Sequence, residues 1–441
     1  MKLSSVKTLL ILLACCSLVL LSGCGTNQGS TGTSPATTST APTAMATPTA
    51  TASPATSTTP GVTCQVSPTV DLNAVAPLSQ SAVFYINSKG GYQVSEYGSM
   101  LKRYNLATGQ TTTLLDYSVS RTGILSAQLS PDKRWLAVQV TQATSLPALV
   151  KLLLIGVDGT HLQTLDCRDT SNGFVMPGNT IAWSPNSQEL AYDTPFSAGQ
   201  KGGVGVLNLA TGSETVFQVD ASPFAWLDNQ HLLVRNDSGY SLVMSSEKIF
   251  LLDTSQDPTQ QPQLIASAPA LCAPYVLSSD GQKLYSATCT LKVPNGYNCR
   301  SSLGIQGAGS LNVQSASGGS PGSLYSANNL GILAIQPVGT SILFYSYGAI
   351  NDGSQSGLWA RDSAGHLTHL INGNVQNCLI FEGSEDLPAL TSNGTSYALY
   401  TSSTSATSLA AIQVGSISGD SPSTIATLSP VSGVLHLVGM G

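Results

Sequence analysis

The sequence contains few charged residues. Of its 441 residues only 9% are charged, with 17 basic and 23 acidic side chains and a formal net charge of −6 at pH 7. Two of the basic residues, Lys2 and Lys7, lie in an N-terminal leader described below, so the rest of the chain has 15 basic against 23 acidic residues, about −8. Nucleic-acid binding needs a basic patch to neutralise phosphates. The composition therefore excludes nucleic acid as a partner.

The sequence also lacks the short motifs of several enzyme classes. It contains no Gly-x-x-x-x-Gly-Lys loop, no Cys-x-x-Cys pair and no sialidase-type Asp box. Residues 318–322 fit Gly-x-Ser-x-Gly, but Pro321 and the Gly/Ser-rich surroundings predict a loop instead of the strand–turn–helix that a nucleophile elbow needs. His366 and His369 have an odd spacing, which on a strand places them on opposite faces and prevents joint chelation. We predict no catalytic residue, no metal site and no cofactor.

One long apolar run is present, close to the N-terminus. Lys2 and Lys7 lead into 13 nearly unbroken apolar residues, Leu9 to Leu21, which are too few to span a bilayer stably. The run ends in Leu21-Ser-Gly-Cys24, which resembles the lipobox of bacterial lipoproteins. The resemblance implies that residues 1–23 are a signal peptide and that lipid is attached to Cys24; an ordinary secretory signal that contains a cysteine is the alternative. We therefore expect an extracytoplasmic lipoprotein anchored to a membrane, at the cell surface or in the periplasm.

Residues 24–61 predict a disordered tether behind this cysteine. From Gly25 to Gly61 no residue is charged, and 30 of 37 positions are Thr, Ala, Pro or Ser. Such a composition cannot bury a core. At about 3.1 Å per residue a fully extended tether would reach on the order of 115 Å. We expect it to hold the folded body, residues 62–441, away from the lipid surface.

A turn between two apolar stretches repeats through the folded body. The copies begin at Gln128-Leu-Ser-Pro-Asp-Lys-Arg-Trp, Ala182-Trp-Ser-Pro-Asn-Ser, Ala225-Trp-Leu-Asp-Asn, Val276-Leu-Ser-Ser-Asp-Gly, Ile335-Gln-Pro-Val-Gly and Leu390-Thr-Ser-Asn-Gly. Successive turns are separated by 54, 43, 51, 58 and 55 residues. Pro, Asp, Asn and Gly suit tight reversals, so each copy predicts a hairpin.

A second hairpin follows most copies of this turn. It spans Leu101–Leu115, Leu152–Leu165, Val204–Phe217 and Leu358–Leu370. Four strands in a unit of about 50 residues are typical of a β-propeller blade. At this point the repeats resemble the TolB-type propeller repeats of bacterial envelope proteins, over most of residues 75–441. We name the strands of a blade A to D, from the centre of the ring to its rim.

The number of repeats predicts an all-β propeller of seven blades, with six and eight as the alternatives. Six A–B turns are visible, and Ala82–Ile86 predicts a strand B of a further blade that has no strand A before it. Val434–Val438 has no partner at the end of the chain. We expect this C-terminal strand to complete the first blade and close the ring, which removes exposed strand edges.

The connections predict which face of the disc binds a partner. A–B and C–D turns lie on one face, the turn face, and B–C and D–A connections on the other, the loop face. The B–C connections are the longer ones, and loops on a rigid scaffold commonly carry binding residues. Tolerance of insertions in polar loops is the alternative. The candidate binding residues in these loops are Tyr92, Glu96, Tyr97, Tyr240, Tyr297, Tyr347 and Asp352.

Six cysteines remain once the leader and Cys24 are set aside. They are Cys64, Cys167, Cys272, Cys289, Cys299 and Cys378. An even number in an exported chain indicates three disulfides. Cys289 and Cys299 flank one B–C loop, so we predict that they pair; the pairing of the other four stays open.

These features favour a non-enzymatic binding scaffold for a protein, peptide or glycan partner at the cell envelope. The alternative is a hydrolase or lyase with its site at the central channel, which needs carboxylates or histidines on the innermost strands. The strand A segments contain almost none. The TolB-type proteins that the repeats resemble are periplasmic partner-binding proteins, but their extra N-terminal domain is not evident here, so the resemblance does not imply that specific role.

Overall fold

The fold is seen in a computed structural model of the chain. It describes residues 65–88, 98–120, 122–142, 149–169, 180–194, 203–237, 245–289, 291–292, 304–305, 308–347, 356–372, 388–401, 410–419, 421–428 and 435–441. Within these ranges every regular element is a β-strand. No helix among them is long and apolar enough to cross a membrane.

The strands form seven four-stranded sheets, which are the blades of a propeller. Blade 1 consists of β1 (Ala82–Asn87), β2 (Met100–Asn105), β3 (Thr111–Asp116) and β30 (Leu435–Met440). Blade 2 consists of β4 (Thr122–Leu129), β5 (Trp135–Gln142), β6 (Leu149–Gly156) and β7 (Gln163–Asp169). Blade 3 consists of β8 (Ile181–Trp183), β9 (Glu189–Thr194), β10 (Gly203–Asn208) and β11 (Glu214–Phe217).

The remaining blades repeat this order. Blade 4 consists of β12 (Ser222–Trp226), β13 (His231–Asp237), β14 (Ser245–Asp253) and β15 (Gln263–Leu271). Blade 5 consists of β16 (Ala273–Leu277), β17 (Lys283–Thr288), β20 (Ala308–Ser315) and β21 (Gly322–Asn328), with a short β18–β19 pair (Leu291–Lys292, Gly304–Ile305) between its strands B and C. Blade 6 consists of β22 (Gly331–Val338), β23 (Ser341–Tyr347), β24 (Gly357–Arg361) and β25 (Leu367–Asn372). Blade 7 consists of β26 (Ala389–Ser392), β27 (Ser396–Thr401), β28 (Ala410–Ser416) and β29 (Ser423–Leu428).

The repeat predicted from the sequence corresponds to these blades. All six predicted A–B turns join the first two strands of a sheet, and the four predicted second hairpins are β2–β3, β6–β7, β10–β11 and β24–β25. All pairings within blades 2 to 7 are antiparallel between neighbouring strands. The predicted number of seven blades is confirmed.

The C-terminal strand completes blade 1, as predicted. β30 pairs antiparallel with β1, with Phe84 opposite Gly439 and Asn87 opposite Leu435. Two further backbone hydrogen bonds join Ala82 and Gly441, at 3.1 and 3.0 Å. The first blade therefore takes its strand A from the far end of the chain, and the ring is closed.

The repeated serine explains why the A–B turn recurs. In blade 2, Ser130 Oγ donates to Asp132 Oδ1 (2.6 Å) and accepts the backbone N–H of Trp135 (3.0 Å). Blades 3 and 5 make the same two bonds with Ser184 and Ser278. The side chain thereby satisfies backbone donors inside a five-residue reversal, which is the role of Ser and Asp in such turns.

The hydrophobic core lies between the blades. One cluster joins Val204 and Phe217 of blade 3 to Leu232 and Val234 of blade 4, all at most 1% exposed. Similar clusters join blades 5 and 6, blades 6 and 7, and blades 7 and 1. A single blade cannot bury both of its faces, so its stability depends on its two neighbours.

Tryptophans add hydrogen bonds to this packing between blades. Trp183 Nε1 donates to the carbonyl of Gln128 in blade 2 (3.1 Å), and Trp226 Nε1 donates to the carbonyl of Ala182 in blade 3 (3.0 Å). Both tryptophans occupy the end of strand A. Each indole therefore joins its blade to strand A of the preceding blade.

The segment before β1 crosses the turn face. The backbone of Ser67 donates to Thr164 O of blade 2, and that of Val70 donates to Leu209 O of blade 3, both at 2.8 Å. Farther along, Val75 O accepts from Arg134 Nη1 (2.8 Å). Residues 65–78 are thus fixed to the turn face from the rim inwards.

One disulfide differs from the prediction. Cys289 is bonded to Cys272, with Cα atoms 5.8 Å apart, so the predicted Cys289–Cys299 pair is wrong. Cys272 immediately precedes β16 and Cys289 immediately follows β17. The backbone N–H of Cys272 donates to Ala287 O of β17 (2.9 Å). The A–B hairpin of blade 5 therefore brings the two thiols together at the loop face. Cys299 lies outside the described residues.

We expect Trp226→Phe to destabilise the propeller by about 1–3 kcal/mol, because it removes the donor to a buried carbonyl. Urea unfolding followed by circular dichroism measures this change. The matched variant Trp183→Phe should cost less, since its hydrogen bond is only part-buried. Equal stability of Trp226→Phe and the wild type would show that the indole contributes packing alone.

Candidate functional site

A cavity of about 220 Å³ opens at the central channel beside blades 1 to 4. The inner strands β30, β4, β8 and β12 contact one another in this order around the channel. The lining residues are Ser126, Ala127, Gln128, Thr180, Ile181, Pro223, Phe224, Arg235 and Val438. Thr180 directly precedes strand A of blade 3, and Arg235 lies near the end of strand B of blade 4. Both positions belong to the loop-face end of the blades, so we call this cavity the channel pocket.

The channel pocket is polar as well as apolar. Ser126 Oγ and Gln128 Oε1 are buried and have no hydrogen-bond partner among the described residues. Phe224 and Ile181 contribute apolar surface beside them. A concave site with a few convergent polar groups on an apolar wall is the usual form of a ligand site.

Buried polar side chains recur at one position on strand B next to the channel. Gln139 follows the turn serine Ser130 by nine residues, and Asp193 follows Ser184 by the same interval. Arg235 occupies the equivalent position in blade 4, whose turn is one residue shorter. Gln139 and Asp193 are 3% and 6% exposed. Three consecutive blades thus present a polar group where the other second strands are apolar or aromatic.

Asp193 is held by its neighbours near the loop face. Its Oδ2 accepts a hydrogen bond from Thr180 Oγ1 at 2.7 Å, and the Ser222 hydroxyl of blade 4 also donates to the carboxyl group. Burial raises the pKa of Asp193 from 3.8 to about 7, although these hydrogen bonds and Arg235 oppose the rise. Asp193 therefore exchanges its proton near neutral pH.

Arg235 and Glu247 form the second half of this polar chain. Arg235 Nη1 lies 3.8 Å from Glu247 Oε1, and the glutamate side chain is only 2% exposed. Glu247 Oε2 accepts the backbone N–H of Tyr275 in blade 5 (3.0 Å). The Arg235 guanidinium also lies over the Phe224 ring, 5.8 Å from its centre. A polar chain thus runs from Thr180 in blade 3 to Tyr275 in blade 5 along the loop face.

A second charged cluster lies between blades 2 and 3 and is structural. Arg168 of β7 pairs with Asp166 (2.6 Å) and with Glu214 of β11, and Glu214 accepts from the hydroxyl of Tyr192 (2.6 Å). Burial and the nearby carboxylates raise the pKa of Tyr192. Gly205 is needed here, because a Cβ atom would lie 2.8 Å from Glu214 Oε1. Every charge in this cluster is paired, and it joins the two outer strands.

The histidines with odd spacing lie in separate environments. His366 Nδ1 contacts Asp362 Oδ2 (2.9 Å) in the C–D turn of blade 6. His369 stacks on Trp359, with ring centres 4.0 Å apart, and its Nε2 contacts Ser356 O (3.1 Å). Among the described residues, no group of three His, Cys, Asp or Glu could hold a metal ion.

The residues predicted for the binding face cannot be compared with this site. Tyr347 is the last residue of β23, and only its backbone is described. The other candidates lie outside the described residues: Tyr92, Glu96, Tyr97, Tyr240, Tyr297 and Asp352. The lipid-attachment residue Cys24 lies outside them too. Their roles remain predictions.

Asp193, Arg235 and Glu247 are not among the residues predicted from the sequence, where the stretches on both sides of the A–B turn are expected to be apolar. The sequence does indicate two of these residues, because a charged side chain directly follows three apolar or aromatic ones in Leu190-Ala-Tyr-Asp193 and in Leu232-Leu-Val-Arg235. Buried charges of this kind are rare unless they are paired.

Solved propeller structures are similar to this chain in fold. TolB from Acinetobacter baumannii is 16% identical with a TM-score of 0.39, and the match covers 67% of this chain and 64% of that chain. An oligogalacturonate lyase in complex with manganese is 13% identical with a TM-score of 0.48, over 77% and 86% of the two chains. The β-propeller domain of the Trilobed protease from Pyrococcus furiosus is 12% identical with a TM-score of 0.49, over 80% and 96%.

The match thus spans less than two thirds of the TolB chain. No protein-family model matches this chain, and no curated protein matches it. The structural neighbours include TolB-type propellers together with a lyase and prolyl oligopeptidases. A fold does not determine a function, so the function must be argued from the site.

We expect the free energy of unfolding of the propeller to decrease as the pH rises from 4 to 8, because of Asp193. An aspartate titrates near 3.9 in an unfolded chain, and near 7 here. Between these values the folded state binds more protons than the unfolded one, so unfolding becomes easier as pH rises. At about 1.4 kcal/mol per pKa unit the loss is on the order of 4 kcal/mol. Urea unfolding of the wild type and of Asp193→Asn at several pH values measures it.

The Asn variant should lose this pH dependence and gain stability relative to the wild type as pH rises. Asp257→Asn is the control, since hydrogen bonds from Thr259 lower the pKa of Asp257. The stabilisation from Asp257 is present above its unfolded pKa and is lost only in acid. Its replacement should therefore leave the pH dependence above pH 5 unchanged. An identical dependence in Asp193→Asn and the wild type would contradict our assignment.

Proposed function

We propose that this chain is a lipid-anchored, extracytoplasmic propeller that binds a protein, peptide or glycan partner of the cell envelope on its loop face. The observation that supports it best is the channel pocket, a cavity of about 220 Å³ lined by Arg235 together with Ser126, Gln128 and Thr180. The long B–C connections belong to the same face. A partner on this face would contact the loops and place one group in the pocket.

Arg235 is the residue in the channel pocket best suited to hold that group. Its separation of 3.8 Å from Glu247 is longer than a hydrogen bond. The guanidinium therefore keeps N–H groups with which to bind a ligand oxygen, and packing on Phe224 limits its freedom. Its planar fork suits a carboxylate or a pair of carbonyl or hydroxyl oxygens. Peptides and glycans both carry such groups.

Asp193 gives specific support to the alternative, a hydrolase or lyase. A carboxyl group that titrates near neutral pH beside a pocket is suited to general acid–base catalysis. However, Asp193 is 6% exposed and does not line the pocket, and its oxygens bind Thr180 and Ser222. Its contacts suit a structural bridge between blades 3 and 4 better than contact with a substrate. Binding without chemistry is therefore our first choice.

We expect changes in the channel pocket to weaken partner binding at least tenfold. Arg235→Lys keeps the charge opposite buried Glu247 but removes the fork, and Ala127→Phe fills the cavity. Binding is measured with two probes: peptides with free or amidated C-termini, and neutral or uronate-containing oligosaccharides. Ala107→Phe is the matched control, because Ala107 is an exposed residue of a C–D turn on the turn face.

Two results would overturn this proposal. A ligand that binds both pocket variants as tightly as the wild type would place the site elsewhere. Cleavage of a bound peptide or oligosaccharide, seen by mass spectrometry in the wild type and lost in Asp193→Asn, would identify an enzyme instead of a scaffold. Weaker binding to Arg235→Lys and Ala127→Phe without cleavage supports the scaffold.

We expect Cys24→Ser to abolish lipid attachment. The sulfur of Cys24 is the lipid-attachment atom in the predicted lipobox, and a serine hydroxyl does not replace it in that linkage. Incorporation of an alkyne fatty acid in the expressing cells, followed by fractionation, measures both labelling and membrane association. Cys167→Ser should stay labelled. A labelled Cys24→Ser chain would contradict the anchor without affecting the predictions for the channel pocket.

A further inference from the structure

Cys167 takes part in a disulfide whose other half is not among the described residues. It lies in β7, the outermost strand of blade 2, and is disulfide-bonded. Cys272 and Cys289 are bonded to each other, so neither can be its partner. If the leader is removed and Cys24 carries lipid, the remaining cysteines are Cys64, Cys299 and Cys378.

The segment before β1 contacts the turn-face end of β7. The N–H of Ser67 donates to Thr164 O (2.8 Å). The side-chain amide of Gln163, one residue earlier in β7, donates to the carbonyls of Ser67 (2.9 Å) and Thr69 (3.2 Å). Three hydrogen bonds therefore hold residues 67–69 against the start of β7.

These contacts indicate which cysteine can reach Cys167. Cys64 is three residues before Ser67, and Cys167 is three residues after Thr164. At about 3.3 Å per residue, each cysteine is within about 10 Å along the chain of the hydrogen bond between Ser67 and Thr164. A segment that runs back along β7 from Ser67 would bring Cys64 within disulfide distance of Cys167.

The other two cysteines belong to distant parts of the ring. Cys299 lies between β18 and β19 of blade 5, five residues before Gly304. Cys378 lies six residues after the end of β25, between blades 6 and 7. The neighbours of blade 2 are blades 1 and 3. Neither cysteine is therefore placed by the chain near the rim of blade 2.

We propose that Cys64 and Cys167 form a disulfide that fixes the start of the folded body to the rim of blade 2. Two thiols lose two protons and two electrons, and one S–S bond forms. The electrons pass to the disulfide of an extracytoplasmic thiol oxidoreductase, which becomes a dithiol. The bond would hold the N-terminal segment beside β7, an edge strand that could otherwise pair with another chain.

The disulfide also determines where the tether joins the propeller. With Cys64 bonded to Cys167, the tether would join the propeller at the rim of blade 2, whereas the channel pocket opens at the loop face. The role of residues 24–61 as a membrane tether rests on the proposed lipid anchor, whereas the disulfide itself does not.

Peptide mapping of the full chain, purified from an oxidising compartment and alkylated without reduction, tests the proposal. We expect a disulfide-linked peptide pair that contains Cys64 and Cys167 and that separates after reduction. In Cys167→Ser, maleimide labelling after denaturation should find one additional free thiol, on the peptide with Cys64. In the double variant Cys64→Ser/Cys167→Ser that label should be absent.

The mapping has outcomes that overturn the proposal. A link from Cys167 to Cys299 or to Cys378 would refute the Cys64–Cys167 pairing, and so would a free thiol at Cys167 in the wild type. Because the map is made on the wild-type chain, misfolding of a variant does not affect it. Neither outcome changes the ligand-binding or lipid-labelling predictions, so the two proposals fail independently.

Discussion

The structure depends on the packing of each blade against its two neighbours. The apolar clusters lie between sheets, with residues such as Phe217 and Leu232 contributed from adjacent blades. This arrangement requires that every blade has a neighbour on both sides, and a linear array of blades would leave two faces exposed. The pairing of β30 with β1 meets this requirement. The chain passes from blade 7 into β30, which is strand A of blade 1, so the last blade is joined to the first.

The same constraint explains the repeated polar contacts. The indoles of Trp183 and Trp226 and the chain from Thr180 to Tyr275 all cross from one blade to the next. Apolar packing between sheets has little directional preference, whereas hydrogen bonds to specific carbonyls and carboxylates select one alignment. Asp193 and Glu247 help to align neighbouring blades, and both also interact with Arg235, which lines the channel pocket. The site is consequently part of the scaffold and not an addition to it.

Much of the fold could be predicted from the sequence, since its signals are local. Ser-Pro-Asp turns, apolar stretches and Ala-Thr-Gly hairpins lie within units of about 50 residues, and counting them gives the number of blades. The closing strand was predictable because Val434–Val438 had no other partner. The site was harder to predict, because Asp193 and Arg235 are 42 residues apart in sequence and meet only when adjacent blades stack. Similarly, the prediction for Cys289 was wrong because Cys289 and Cys299 flank the same B–C loop, whereas the disulfide joins the two ends of the A–B hairpin, Cys272 and Cys289.

The closure of blade 1 has a consequence for how the protein is made. The residues of β1 are synthesised before those of β30, and all the other strands of the propeller lie between them in the chain. Until the last strand arrives, the inner edge of β1 is unpaired and can join another strand with similar spacing. Blade 1 therefore cannot be completed until β30 has been synthesised, whereas each of the other blades is contiguous in the chain and has its four strands as soon as its own unit is made.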